Sequence, residues 1–295
     1  MGLCHCHRTD VYFFLRRAKT LATLDYVPTT LQCLRTSLIP LLAVASALGA
    51  PAPVNTDQFK VVLDPGHGGN DLGAVSSGTR EKDFTLGLAL ELKRQLLIKK
   101  YQVILTRDAD RDVSLKERTK IANREKAQLF LSIHLNSPPP GMRGSPEGVE
   151  TYILNTTSDQ TSKRLAELEN KGLDLAESET ENHDVNLILK DLTLDSFQPE
   201  NKRLACLTQR HLISVTKQKH RGIRQALFVV LLGAEMPSAL VEVGFISSER
   251  DRTLLQKEHG LRAVAASLVR AIEEFRMTTG SPSAKQILAE CPIDR

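Results

Sequence analysis

A run of β-favouring residues, Phe59 to Leu63, is cut off by Asp64-Pro65-Gly66 and followed by a helical pattern over Lys82–Lys99. This order of strand, glycine-rich turn and amphipathic helix recurs down the chain, and it limits the possible folds more than any other feature. The helix carries leucines at Leu86, Leu90 and Leu97 and at Leu88, Leu92 and Leu96, a wide apolar face. Gln102–Leu105 reads as a second strand. Ser114 with Glu117 forms a capping-box start for a helix running to about Ala127. Leu129–Ile133 and Gly148–Leu154 are further strands, separated by the Pro/Gly-rich loop Ser137–Pro146. Ala226–Leu231 and Ala239–Val243 follow, and a helix over roughly Leu261–Arg276 closes the pattern before a polar tail, residues 277–295. Short buried strands alternating with amphipathic helices predict an α/β sandwich with helices on both sheet faces.

Asn155–Arg224 departs from that rhythm: it is polar, helical in pattern and without a convincing strand. It reads either as a helical insertion over the sheet or as an ordinary solvated connection. Ahead of the body, Arg35 precedes Ser37–Ala50, a short apolar run ending in small residues. This is the pattern of a secretory leader over residues 1–50, too short to span a membrane, with residues 51–58 as linker. Charge divides in the same place. Of a net +4, the first fifty residues supply five Lys/Arg against two Asp, leaving a nearly neutral body with no electrostatic case for nucleic acid. Cys4, Cys6 and Cys33 fall in the leader, and the CHCH string there lacks a second ligand pair at zinc-finger spacing. Cys206 and Cys291, far apart in sequence, are expected to be two free thiols.

Three predicted strands end on metal-competent or titratable residues: His67 in DPGHGG, His134 in SIHLN and Glu242 in VEVG. Ligands in open α/β sheets sit beyond the carboxyl ends of strands. Glu81 opens the helix after the glycine-rich loop. Singly, His67 and His134 read as solvated histidines, and Glu81 as a first-turn acid favoured by the helix dipole. Glu242 is harder to set aside, because an unpaired carboxylate in a buried strand is costly. Together, two imidazoles and a carboxylate are a common catalytic zinc set, and a second carboxylate off the metal can carry a proton. Walker A and dinucleotide fingerprints both fail at this loop, and no H-E-x-x-H is present. The glycines instead suit close approach of the backbone to a metal, with Pro65 stiffening the entry. His183, His211, His220 and His259 have no strand-end placement, and only His183 is kept as a distant candidate.

Five strings in order, DPGHGG, REKDFTL, LTRDADRDVSLKERTKIAN, LFLSIHLNS and MPSALVEVGFISS, resemble the zinc-dependent N-acetylmuramoyl-L-alanine amidases of bacterial cell walls. The resemblance covers about Lys60 to Arg276 and implies a three-layer α/β sandwich with a mixed, mostly parallel sheet. It implies one Zn²⁺ held by His67, Glu81 and His134, with Glu242 catalytic. It implies an exported enzyme of the periplasm or cell envelope that cleaves the amide between N-acetylmuramic acid and the L-alanine of the stem peptide. The substrate is peptidoglycan or a lipid-linked muropeptide. Leu165–Asp195 is similar to the insertion of division-associated members, where a helix blocks the active site until a protein activator moves it. Ser248 stands where the family often has Asn.

Two other classes compete. One is a wall-binding protein with a degenerate site, against which all four residues stand. The other is serine acyl transfer, because Ser214–Lys217 fits S-x-x-K, although no K-T-G partner exists in the chain.

Overall fold

The computed structural model describes residues 58–138, 146–171 and 197–291. Residues 1–57, which include the expected leader with its cysteines and all but Gln58 of the expected linker, and residues 172–196, which include His183 and much of the expected insertion, lie outside the described residues. The body is built on β1 (Lys60–Pro65), the short pair β2 (Val75–Ser76) and β3 (Thr79–Arg80), β4 (Gln102–Leu105), β5 (Leu129–Asn136), β6 (Val149–Leu154), β7 (His220–Ala226) and β8 (Ser238–Phe245). Its helices are α1 (Glu81–Ile98), α2 (Leu115–Arg124), α3 (Gln160–Glu169), α4 (Gln198–Thr216), α5 (Glu249–Gln256), α6 (Glu258–Thr278) and α7 (Pro282–Glu290). Six strands form one sheet in the order β4-β1-β5-β8-β6-β7, parallel except where β6 meets β8. The expected mixed, mostly parallel sheet between helical layers is present. No helix among the described residues is long and apolar enough to cross a membrane.

The two sheet faces carry different cargoes. Val61, Leu63, Leu129, Leu131, Ile133, Ala239 and Val241 point into the larger core, which includes buried residues of α1, α4 and α6. The alternate positions Val62, Phe130, Leu240 and Tyr152 point into a smaller core with Ala122 of α2 and Leu165 of α3. With a side-chain period of two, the continuation of this second face brings Asp64, Ser132, His134, Glu242 and Glu150 out beside one another. The apolar half of that face makes the sheet stable, and its far end is free for polar chemistry.

Several local expectations change. Only one leucine stripe of α1 is buried, through Phe84, Leu88, Leu92 and Leu96, while Leu90 and Leu97 stay exposed. Ser114 accepts from the Glu117 amide at 3.3 Å, as the capping pattern predicts, though α2 stops at Arg124. The strand expected over Ala226–Leu231 is the end of β7 followed by a 3₁₀ turn at Val229–Leu231. β7 also begins inside the segment expected to lack strands. The tail forms α7, and the expectation of two free thiols fails: Cys206 of α4 and Cys291 after α7 form a disulfide, their Cα atoms 5.9 Å apart. Sequence separation hid the pair, because only the packing of α7 against α4 brings them together. Ser248 caps α5, accepting from the Asp251 amide at 3.2 Å. Asn is an equally good residue for that cap, which accounts for the departure from the family's usual residue.

Candidate metal centre

β1 delivers the chain to Gly66 and His67, and from there the backbone leaves ordinary conformations. His67 itself lies at φ 60°, a left-handed position that few non-glycine residues adopt. A loop in that shape cannot use ladder hydrogen bonds for its carbonyls, so other donors must reach them. Two buried arginines do so. Arg107 donates to Pro65 O at 3.0 Å and to Gly66 O at 2.8 Å. Arg118 donates to Pro65 O at 2.8 Å and to His67 O at 2.9 Å. Arg118 also meets Asp64 Oδ1 at 2.9 Å, and the same carboxylate accepts from Thr106 and Ser132. Burial alone pushes Asp64 up, but Arg118 and the two hydroxyls outweigh it and hold the carboxyl below its usual range. The loop that presents His67 is therefore clamped from beneath by charge.

The ring of His67 is aimed by Asp71, whose Oδ2 lies 2.7 Å from Nδ1, leaving Nε2 facing inward. Inward of it lie Glu81 Oε2 at 3.1 Å and Glu169 Oε2 at 3.2 Å. His134 Nδ1 lies 3.1 Å from Glu81 Oε1 and 3.0 Å from Glu169 Oε2. Glu81 is fixed by the backbone amides of Ala74 and Leu135, both at 2.9 Å. Glycines make the approach possible. A Cβ on Gly66 would sit 2.4 Å from the His134 ring, and one on Gly73 would sit 2.6 Å from His67 and 2.7 Å from Glu81. Gly68 and Gly69 serve the neighbouring turn instead, where a Cβ would strike Arg111 O and the Asp112 carboxylate.

His67, Glu81, His134 and Glu169 thus offer ligand atoms within 4.8 Å of one another. His67 Nε2 and Glu169 Oε2 are buried without a hydrogen-bond partner, despite their short separation. They converge on a common point, with no hydrogen bond from the imidazole to the carboxylate. Bonds of about 2.0–2.1 Å to a tetrahedral zinc place ligand atoms roughly 3.3 Å apart, close to the spacings here. Charge makes the same demand. Burial is the largest single effect and lowers both imidazoles, but Glu81, Asp71 and Glu169 together raise His67 well above its ordinary value, and Glu169 with Glu81 raises His134 to about 10. The two carboxylates, opposed by burial, are held low by the same histidines. Two buried carboxylates require compensating positive charge, and a divalent cation among neutral imidazoles supplies it. The residues fit the metal that the sequence resemblance implies.

Glu242 is the register partner of His134 on the adjacent strand, so both side chains leave the same face. It is fully buried, and both its carboxylate oxygens lack partners. Burial, with the charges of Glu169, Glu81 and Glu150 against His134, raises its pKa well above the ordinary value. All four residues singled out in the sequence meet at one end of the sheet. Glu169, Asp71, Asp64, Arg107 and Arg118 were missed as individuals. Arg107 and Arg118 lie inside the string LTRDADRDVSLKERTKIAN, which marked them only as part of a pattern. Glu169 carries no local sign in the sequence, since it ends an amphipathic helix as an acid on a polar segment. His211 is paired with Glu274 at 2.7 Å, and His220 and His259 are exposed. Ser214 donates to His211 O of its own helix at 2.9 Å and faces solvent, so it is not set up as a nucleophile.

The family model for N-acetylmuramoyl-L-alanine amidase matches residues 61–274. Among curated proteins, the chain is 32% identical to the N-acetylmuramoyl-L-alanine amidase AmiC of Neisseria meningitidis serogroup B, over 74% of the chain and 53% of that protein. It thus spans about half the length of that relative. It is 31% identical to AmiA of Escherichia coli, over 72% of the chain and 73% of the relative. Among solved structures, an N-acetylmuramoyl-L-alanine amidase of Clostridium difficile 630 superposes with a TM-score of 0.59 at 28% identity, covering 76% of this chain and all of that one. The catalytic domain of CwlV from Bacillus (Paenibacillus) polymyxa gives 0.54 at 29%, over 74% and 98%.

Proposed function

This chain belongs to the N-acetylmuramoyl-L-alanine amidase family, and from this premise we propose that it is an amidase of that class, working as a zinc hydrolase through His67, Glu81, His134 and Glu242. The observation that carries the reading is the convergence of His67, Glu81 and His134 on one point, with Glu242 unpartnered on the next strand. His67, Glu81 and His134 would hold the ion, which, when bound, polarises the scissile carbonyl and lowers the pKa of water. Asp71 and the Ala74 and Leu135 amides fix the ligands. Glu242 accepts a proton from the attacking water at its carboxylate. It returns that proton to the alanine nitrogen as the carbon–nitrogen bond breaks, giving a carboxylic acid on the muramyl side and a free peptide amine. Its raised proton affinity suits the first half of that transfer, and the basicity of the departing amine nitrogen drives the second.

Glu169 occupies the remaining side of the same cluster from the end of α3. We infer that α3 covers the metal and must move before substrate enters, which a protein activator would bring about. The proposed setting is the exported cell envelope, with peptidoglycan or a lipid-linked muropeptide as substrate, in wall remodelling or daughter-cell separation. The test is product analysis on purified muropeptides with the full chain. Cleavage should yield free L-alanine amines, stop on chelation and return with zinc. Cleavage that survives exhaustive chelation contradicts the reading.

A further inference from the structure

A second site lies beside the metal cluster on the same sheet face. Its floor is Asn136 of β5, Glu150 and Tyr152 of β6, Arg221 of β7 and Phe245 of β8, and α3 roofs it through Leu165 and Leu168. The cleft is open to solvent on one side, and with α3 in place only about 30 Å³ of it is free, room for roughly one water. Glu150 is buried and stands next to Glu242 across β6 and β8. It is fully engaged: Asn136 Nδ2 donates to it at 2.9 Å, Tyr152 OH at 2.8 Å and Arg221 Nε at 2.7 Å. Arg221 is thereby anchored by one nitrogen only. Its guanidinium lies 4.9 Å from the centre of the Phe245 ring, which fixes the plane of the fork. Among the described residues, its two terminal nitrogens donate to no protein acceptor.

Charge in and beside the site favours an anion. Arg164, Arg221 and Arg224 face Glu150 and Asp159, with Arg224 3.7 Å from Glu150 and 3.0 Å from Asp159. Arg164 and Asp159 both belong to the α3 segment, so the surplus of one positive charge persists when that segment leaves. Departure of Asp159 also releases Arg224 toward the same space. An anchored, half-buried guanidinium with its fork unspent is suited to a carboxylate, which it meets with two parallel hydrogen bonds.

Distance identifies the carboxylate. Arg221, on β7, and Asn136, on β5, meet at the Glu150 carboxylate, at 2.7 and 2.9 Å, and Asn136 lies two residues beyond His134 along β5, roughly 7 Å at about 3.3 Å per residue. An extended peptide leaving the metal cluster covers that span in two residues. We propose that this floor is a substrate subsite in which Arg221 binds a carboxylate on the peptide residue after the alanine, and that Arg221 sets a preference for the acid over the amide there. Resting on the amidase reading, it adds a specificity-determining residue to it. α3, with Leu165 and Leu168 over this floor and Glu169 on the metal cluster, occupies the path of the substrate peptide from the scissile bond to the subsite.

The experiment compares two muropeptides that differ only in whether the residue after alanine carries a carboxylic acid or its amide. The zinc-loaded full chain with Leu168→Ala and Glu169→Ala, which take α3 side chains off the floor and the cluster, is assayed against the same chain with Arg221→Lys or Arg221→Gln added. With Arg221 present, the acid is cleaved at least about tenfold more efficiently, in kcat/KM, than the amide. The added substitutions lower kcat/KM for the acid, mainly through KM, by much more than any loss both substrates share through Glu150, so the ratio falls toward one. The ratio is independent of how much protein is folded. An unchanged ratio, or equal loss on both substrates, overturns the subsite and leaves Arg221 as a counter-ion for Glu150. No cleavage of either substrate with Arg221 present counts instead against the amidase reading.

Discussion

Arg118→Met tests whether the loop presenting His67 is held by charge from below. The substitution keeps much of the apolar stem and removes the guanidinium, and with it the contacts to Asp64, Pro65 O, His67 O and Val113 O. Asp64 is fully buried and keeps only Thr106 and Ser132 as donors. Breaking one side of a buried ion pair costs about 3–5 kcal/mol, the lost carbonyl contacts being part of the same network and not additive with it. For a body of this size that is a fall of roughly 6–20 °C in Tm. The loop also loses the donor that fixes His67 O, so zinc affinity should drop about 10–100-fold. Acid sensitivity follows from the sign of the Asp64 shift. Its folded pKa is depressed, so its stabilisation is present above its unfolded value of 3.8 and is lost as pH falls through the lower folded value. Without Arg118 the depression shrinks, and the variant should begin to lose stability at a higher pH than the parent. Urea unfolding across pH 3–7 and a competitive zinc titration measure both effects. Arg124→Met, at an exposed pair with Glu117, is the control and should change stability by less than about 1 kcal/mol. A loss below about 1 kcal/mol in Arg118→Met, with zinc affinity unchanged, would refute the clamp.

Two further outcomes are expected. Glu169→Ala should retain zinc and raise muropeptide cleavage roughly tenfold or more, a bias of about 1.4 kcal/mol, when assayed without any activator; equal rates would mean that α3 does not cover the site. Cys206→Ser opens a loop of 85 residues, for which chain entropy gives about 4–5 kcal/mol, so urea midpoints of oxidised parent and variant should differ clearly, and an equally stable reduced parent would contradict the disulfide's role.

The sheet was legible because its strands are short apolar runs with sharp stops, and the four central residues because each stands on or just after such an element. What sequence could not convey was partnership. Asp64 and Arg118 look like an ordinary strand-end acid and a helical arginine, and only the fold brings them to 2.9 Å. Glu169 likewise shares the metal cluster from 35 residues beyond His134, through the docking of α3. Val229–Leu231 failed as a strand for the opposite reason: its apolar β-branched run satisfies the pattern, but the chain turns there to bury Val230 and Leu231 in the smaller core. Cys206 and Cys291 belong with the first group, since their pairing exists only once α7 packs on α4.

The claim at the centre is that Glu242 moves the proton while other residues hold the metal. Glu242→Gln, nearly isosteric at a fully buried position, separates these roles. Metal content and muropeptide cleavage, measured on the same purified sample, should give one zinc per chain and no released peptide. Cleavage at the parent rate, or loss of zinc together with activity, would contradict the assignment.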